Sequence, residues 1–160
     1  MPPKGVCGSG ILAAVKELLR TGIVKKTGVF VKKEVLGEED YRQHLIRLNG
    51  TKREFVLDEK RDLFITQGDV RQVQLAKGAI LSGFTALLKK AGIGMEDLDK
   101  VLIAGQFGAH LPAEFLTGVG ILPEEVENRL VYVGNSSKTG AYMTLMSEKM
   151  KAKMEALASD

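Results

Sequence analysis

The apolar run Val101-Leu102-Ile103-Ala104 stops at Gly105 and leads into Gln106, Phe107 and Gly108. This does most to narrow the folds open to the chain. A short apolar run that ends abruptly in glycine reads as a buried strand delivering a loop, as in parallel sheets covered on both faces. A Gly-x-x-Gly loop at the carboxyl end of such a strand lets a ligand approach the backbone, because no Cβ intervenes and positive φ is allowed. In open α/β sheets that edge is where ligands bind. The same letters also describe a glycine-punctuated strand-to-helix turn without a ligand, and glycine pairs alone do not separate the two readings.

Two other segments repeat the pattern. Cys7-Gly8-Ser9-Gly10 opens an apolar-periodic helix over 11–19, with Ser9 in the N-cap position and free amides able to face an anion. Val131-Tyr132-Val133-Gly134-Asn135 again runs from strand through glycine to a capped helix. Three such junctions in one small chain suggest a shared concave site.

The remaining elements follow from periodicity. Residues 23–50 are charged and carry no clear pattern, with a strand assigned over 45–48. Two β-type runs, 53–57 and 62–65, suggest a hairpin. Thr66 and Asp69 have the spacing of a capping box. The helix that follows, over 68–90, carries Val70, Val73, Leu75, Ile80, Phe84, Leu87 and Leu88 at helical spacing and stops at Gly92. Within it Lys77-Gly78-Ala79 sets a cation beside two small residues, and a solvent-facing lysine is the plainer alternative. A strand over 100–104, a short helix over 112–117, a strand over 130–133 and a final helix over 137–157 complete the inventory. Only two strands read as buried and parallel, fewer than such a sheet needs, so the chain reads as part of a larger sheet.

Composition sets limits on function. The chain has 160 residues, 44% of them hydrophobic, enough for one globular domain with its own core. With 23 basic and 20 acidic residues the net charge is +3, too small to indicate a nucleic-acid partner. Lys25-Lys26 and Lys32-Lys33 are expected to be solvated. No run approaches the ~20 apolar residues of a membrane span, and no apolar signal core opens the sequence, so a cytoplasmic protein is expected. The single cysteine, Cys7, excludes an internal disulfide and by itself holds neither an iron–sulfur cluster nor zinc. Cys7 is expected to be buried as a small hydrophobe, with reactivity the alternative. His44 and His110 are read as polar surface residues or as residues with their hydrogen bonds satisfied, without ligand spacing, and no metal site is assigned.

Taken together, Lys4 to Leu12, Ile65 to Val70, Gln74 to Ile80, Ala104 to Gly108 and Val133 to Asn135 resemble the C-terminal part of the reductive activators of corrinoid proteins. This family includes the activases of corrinoid methyltransferase systems and belongs to the superfamily of acetate and sugar kinases, Hsp70 and actin. The resemblance covers residues 4–147 and implies an α/β, ribonuclease-H-like ATPase subdomain, incomplete by itself, whose two halves close over a nucleotide. Gly105, Gln106, Phe107 and Gly108 then correspond to the adenosine loop. Lys77 and Gly78 correspond to the helix beside adenine and ribose. Gly8, Ser9 and Gly10 open the first connecting helix, and Gly134 and Asn135 lead into the second. Gln106 departs from the small residue expected at its position.

The resemblance also implies that the longer protein binds ATP with magnesium and acts on a corrinoid protein. The phosphate-gripping hairpins, the metal-binding aspartate and the cysteine-rich electron-transfer domain are expected upstream. The single domain 1–160 would then be a C-terminal fragment without a cluster, would not turn over ATP alone, and would form a homodimer or be less stable than the intact protein. Two alternatives remain open: a non-catalytic docking module for a corrinoid protein, using residues 23–62 and the basic last helix, and the related activator of acyl-CoA dehydratases.

Overall fold

The computed structural model describes residues 3–105 and 111–159. Its first helix, α1, spans Gly8–Arg20 and buries Val15 and Leu18. The helix begins earlier than expected. The amide of Ile11 donates to the Cys7 carbonyl at 2.9 Å, which makes Cys7 the cap. Ser9 therefore lies inside the first turn and is not the N-cap, and its Oγ sits 3.3 Å from the Cys7 Sγ. Standing just outside the helix, Cys7 is exposed rather than buried.

After α1 the chain enters the stretch that periodicity left unread. Val24 and Phe30 form an isolated antiparallel bridge around a turn in which the Gly28 amide donates to the Lys25 carbonyl at 2.7 Å. Ile23, Val24, Phe30 and Val31 are all buried, so this turn is wedged into the core while its lysines face solvent. Gln67 fastens it: Nε2 donates to the Gly28 carbonyl at 2.6 Å, and Oε1 accepts from the Phe30 amide at 3.2 Å.

Strands β1 (Ile46–Asn49), β2 (Lys52–Asp58) and β3 (Leu63–Thr66) form an antiparallel sheet with β2 central. The register sets Arg47 opposite Glu54. Their 2.9 Å ion pair compensates the burial of that carboxylate. Helix α2 (Gln67–Ala91) starts in the expected capping box and ends at Gly92, whose φ of 69° is the left-handed cap glycine adopts without strain. Its expected apolar face is only partly used. Val70 and Val73 are buried and Phe84 packs on the core, whereas Leu75, Ile80 and Leu87 are exposed, because they lie away from the centre of that face of the helix.

The second half contains two parallel strands, β4 (Val101–Ala104) and β5 (Leu130–Gly134), linked through α3 (Ala113–Gly118). Val101, Ile103 and Leu130 face the core. The opposite face, with Leu102, Val131 and Val133, is exposed, so these strands are not buried on both sides as their composition suggests. The expected final helix is two: α4 (Ser136–Met146) and α5 (Glu148–Ser159). Ser147 separates them in extended conformation, and its Oγ accepts from the Met150 amide at 3.3 Å, the local competition for backbone bonds that ends a helix at serine.

Candidate functional site

The carboxyl edge of β4 and β5 brings two of the expected glycines together. A register shift after Ile103 aligns Ala104 with Gly134, and the Gly105 amide donates to the Gly134 carbonyl at 2.8 Å. Gly105 has φ of 116° and Gly134 φ of 71°, so both junctions need the backbone freedom of glycine. A Cβ at either position would meet nothing within 4 Å among the described residues, which leave this edge open to an approaching group. Asn135 caps α4, its Oδ1 accepting from the Lys138 amide at 3.0 Å. Gln106, Phe107 and Gly108, with His110, lie outside the described residues.

Lys77 and Gly78 belong to a different recess. They line a cavity of about 300 Å³ between α1 and α2, with Val15, Leu19, Val70, Val73, Leu81 and Val119 as apolar walls and Lys26, Gln74 and Ser82 as polar positions. The volume matches the lower end of small-molecule pockets, as does the mixture of apolar walls with a few polar groups. Gln74 is held by the Thr27 carbonyl at 3.1 Å. Lys77 is half-buried and makes no hydrogen bond or ion pair among the described residues. Gly105 and Gly134 are not part of this lining. Gly8, Ser9 and Gly10 lie at the other end of α1 from Leu19, roughly 15 Å away at 1.5 Å per helical residue.

Two groups stand outside the sequence-derived set. The Tyr132 hydroxyl is buried without a hydrogen-bond partner among the described residues, and burial pushes its pKa up. The Cys7 thiol is pulled below its ordinary value, chiefly by the Ser9 hydroxyl and then by the Gly10 amide. Neither signal could be read from periodicity, since each depends on what the fold places beside the side chain. Among the described residues no group of three His, Cys, Asp or Glu side chains comes together, and no helix is long and apolar enough to cross a membrane.

Comparison with known proteins gives a consistent set of relatives. Residues 1–160 match the family described as the C-terminal domain of RACo, the ASKHA domain. The corrinoid activation enzyme RamQ of Eubacterium limosum is 35% identical across 92% of this chain and 26% of its own length. The [Co(II) methylated amine-specific corrinoid protein] reductase of Methanosarcina barkeri is 26% identical across 83% of this chain and 20% of its own. A solved structure, a reductive activator for corrinoid, iron-sulfur protein, superposes with a TM-score of 0.83 and 33% identity over 99% of this chain and 25% of its own. The chain thus spans between a fifth and about a quarter of the length of these relatives.

Proposed function

The chain belongs to the family of the RACo C-terminal ASKHA domain, and from that premise we propose that it is one nucleotide-binding domain of a longer, ATP-dependent, cytoplasmic activator that returns Co(II) corrinoid proteins to Co(I). The observation that carries this reading is the α1–α2 cavity with its half-buried Lys77, unpaired among the described residues. An ammonium with no partner among the described residues is available to an anionic ligand, and hydrogen bonds to an ionised group are the strong ones. Val70, Val73 and Val119 suit a flat apolar base, while Lys77 and Lys26 suit phosphate or ribose oxygens. The open Gly105–Gly134 edge supports a second contact to the same class of ligand.

The residues here fit a nucleotide better than they fit its metal. With no carboxylate cluster among the described residues, magnesium would take its ligands from the nucleotide and from the rest of the longer protein. A one-electron donor of low potential likewise lies outside a chain with one cysteine. Nucleotide binding would act on the corrinoid step by differential affinity: if the closed form binds ATP more tightly, ATP shifts closure, and closure changes the docked partner. A second reading, direct docking of the corrinoid protein, is favoured by a groove of about 420 Å³ in which Lys32, Lys33 and Arg53 surround exposed Leu48.

Calorimetric titration of the longer protein with MgATP tests the first reading. Lys77→Met is expected to weaken binding about tenfold, or about 1.4 kcal/mol, with little change in melting temperature. Gly105→Val is expected to weaken it as well, because a branched residue resists φ of 116° and crowds the open edge. Unchanged affinity in both variants would sink the assignment.

A further inference from the structure

We propose that Gly120 is a positioning residue for Lys77: lacking a Cβ, it leaves the space in which the lysine ammonium rests and so directs that charge into the α1–α2 cavity. The proposal rests on the nucleotide reading above and adds a residue to it.

The argument starts at the end of α3. The chain there turns back through hydrogen bonds from the Gly120 amide to the Thr117 carbonyl and from the Ile121 amide to the Leu116 carbonyl, both 2.8 Å. Gly120 takes φ of 75° to close this turn. A methyl group on Gly120 would sit 2.5 Å from Nζ of Lys77, closer than a Cβ contact allows, and a tight 3.0 Å from its Cε. Two residues earlier the same construction recurs: a methyl on Gly118 would lie 3.0 Å from Cγ and 3.2 Å from Cδ of Lys16. Two lysines from two helices therefore cross one helix end, each over a glycine.

They differ in what holds the charge. Lys16 is committed, with Glu114 at 3.3 Å and the Phe115 ring centroid at 5.1 Å. Lys77 has neither among the described residues, and beyond the carbonyl-rich end of α3, which favours a cation, its ammonium is available to a ligand. The atoms a Gly120 side chain would strike are the far end of a flexible chain, so the fold survives the change while the ammonium moves. Misplacing a binding group in this way lowers affinity without removing the group.

A double-mutant cycle in the longer protein tests this, with MgATP titration and thermal melting of Gly120→Asn, Gly120→Ala, Lys77→Met and the double variants. Asparagine tolerates positive φ, so Gly120→Asn adds a Cβ with little backbone strain and remains informative if the alanine variant fails to fold. Either Gly120 substitution is expected to weaken MgATP binding about fivefold when Lys77 is present and less than about twofold in the Lys77→Met background, the pattern of two residues acting through one another. The melting decrement is expected to be the same in both backgrounds. Equal affinity losses in both backgrounds overturn the positioning role and leave the nucleotide site standing. If Lys77→Met alone leaves affinity unchanged, the site assignment fails and this inference fails with it.

Discussion

Residues 23–36 and residues 130–146 are near opposites. The first stretch has no usable periodicity, yet it inserts Ile23, Val24, Phe30 and Val31 into the core. The second has the clearest strand–glycine–helix pattern, yet Val131, Val133, Tyr142 and Leu145 are exposed, the last at 83%. Burial by the chain's own elements and sequence pattern have come apart. Contiguous apolar surface left uncovered among the described residues is the usual mark of a face that meets a ligand or another polypeptide.

The largest effect should separate the two regions by stability. Phe30→Ala is expected to cost about 3–5 kcal/mol, the range for emptying a buried aromatic site. Leu102→Ala, at a residue 62% exposed, should stay within about 0.5 kcal/mol in this chain. Urea unfolding of both variants measures the contrast, and similar losses would break it. The uncovered strands carry a second expectation. Among the described residues β4 pairs only with β5, and both present unpaired edges beside an apolar face. Light scattering over a dilution series is expected to show self-association that Leu102→Lys reduces; a stable monomer at micromolar concentration would mean that the domain needs no cover there.

Much of the architecture was legible. The β2–β3 hairpin, the Thr66–Asp69 capping box, the Gly92 stop and the two parallel strands all lie where local chemistry puts them, because each is decided by residues within a few positions of one another. The clamp of Gln67 on the Gly28–Phe30 turn was not legible, since it joins groups nearly forty positions apart that only folding brings together. The pairing of Gly105 with Gly134 is of the same kind.

A smaller effect sharpens the comparison at α2. Thr66→Ala removes the acceptor for the Asp69 amide, a 3.0 Å bond, and is expected to cost about 1 kcal/mol by denaturant melting. A loss near that of Phe30→Ala would mean that the cap, rather than the wedged turn, organises this half.

The smallest expected effect is pH-dependent. Asp40 accepts from the Arg42 Nε at 2.9 Å, while Arg42 Nη1 donates to the Thr21 carbonyl at 2.6 Å, fastening residues 40–42 to the end of α1. The Arg42 guanidinium holds the Asp40 carboxyl below its ordinary value. Its folded pKa is therefore lower than its unfolded one, so its contribution is present above about pH 4 and fades as pH falls through the folded value. Asp40→Asn should slightly flatten the fall in stability between about pH 7 and about pH 3, and the difference should shrink in salt. An unchanged pH profile would mean that the pair adds nothing to the fold.

Most helices and strands, the Thr66–Asp69 cap, the Gly92 stop and the glycines at the strand ends could be read from the sequence, because these depend on dihedral preferences and hydrogen bonds between near neighbours. The sequence also carried the family resemblance, since the motifs keep their order. Which apolar residues are covered emerged only from packing, whereas the cap at Cys7 and the break at Ser147 are local events that periodicity alone did not reveal. The tertiary structure alone set Lys77 over Gly120, more than forty positions away. Contacts of that range depend on how whole helices pack, and no local pattern encodes the distance between two surfaces.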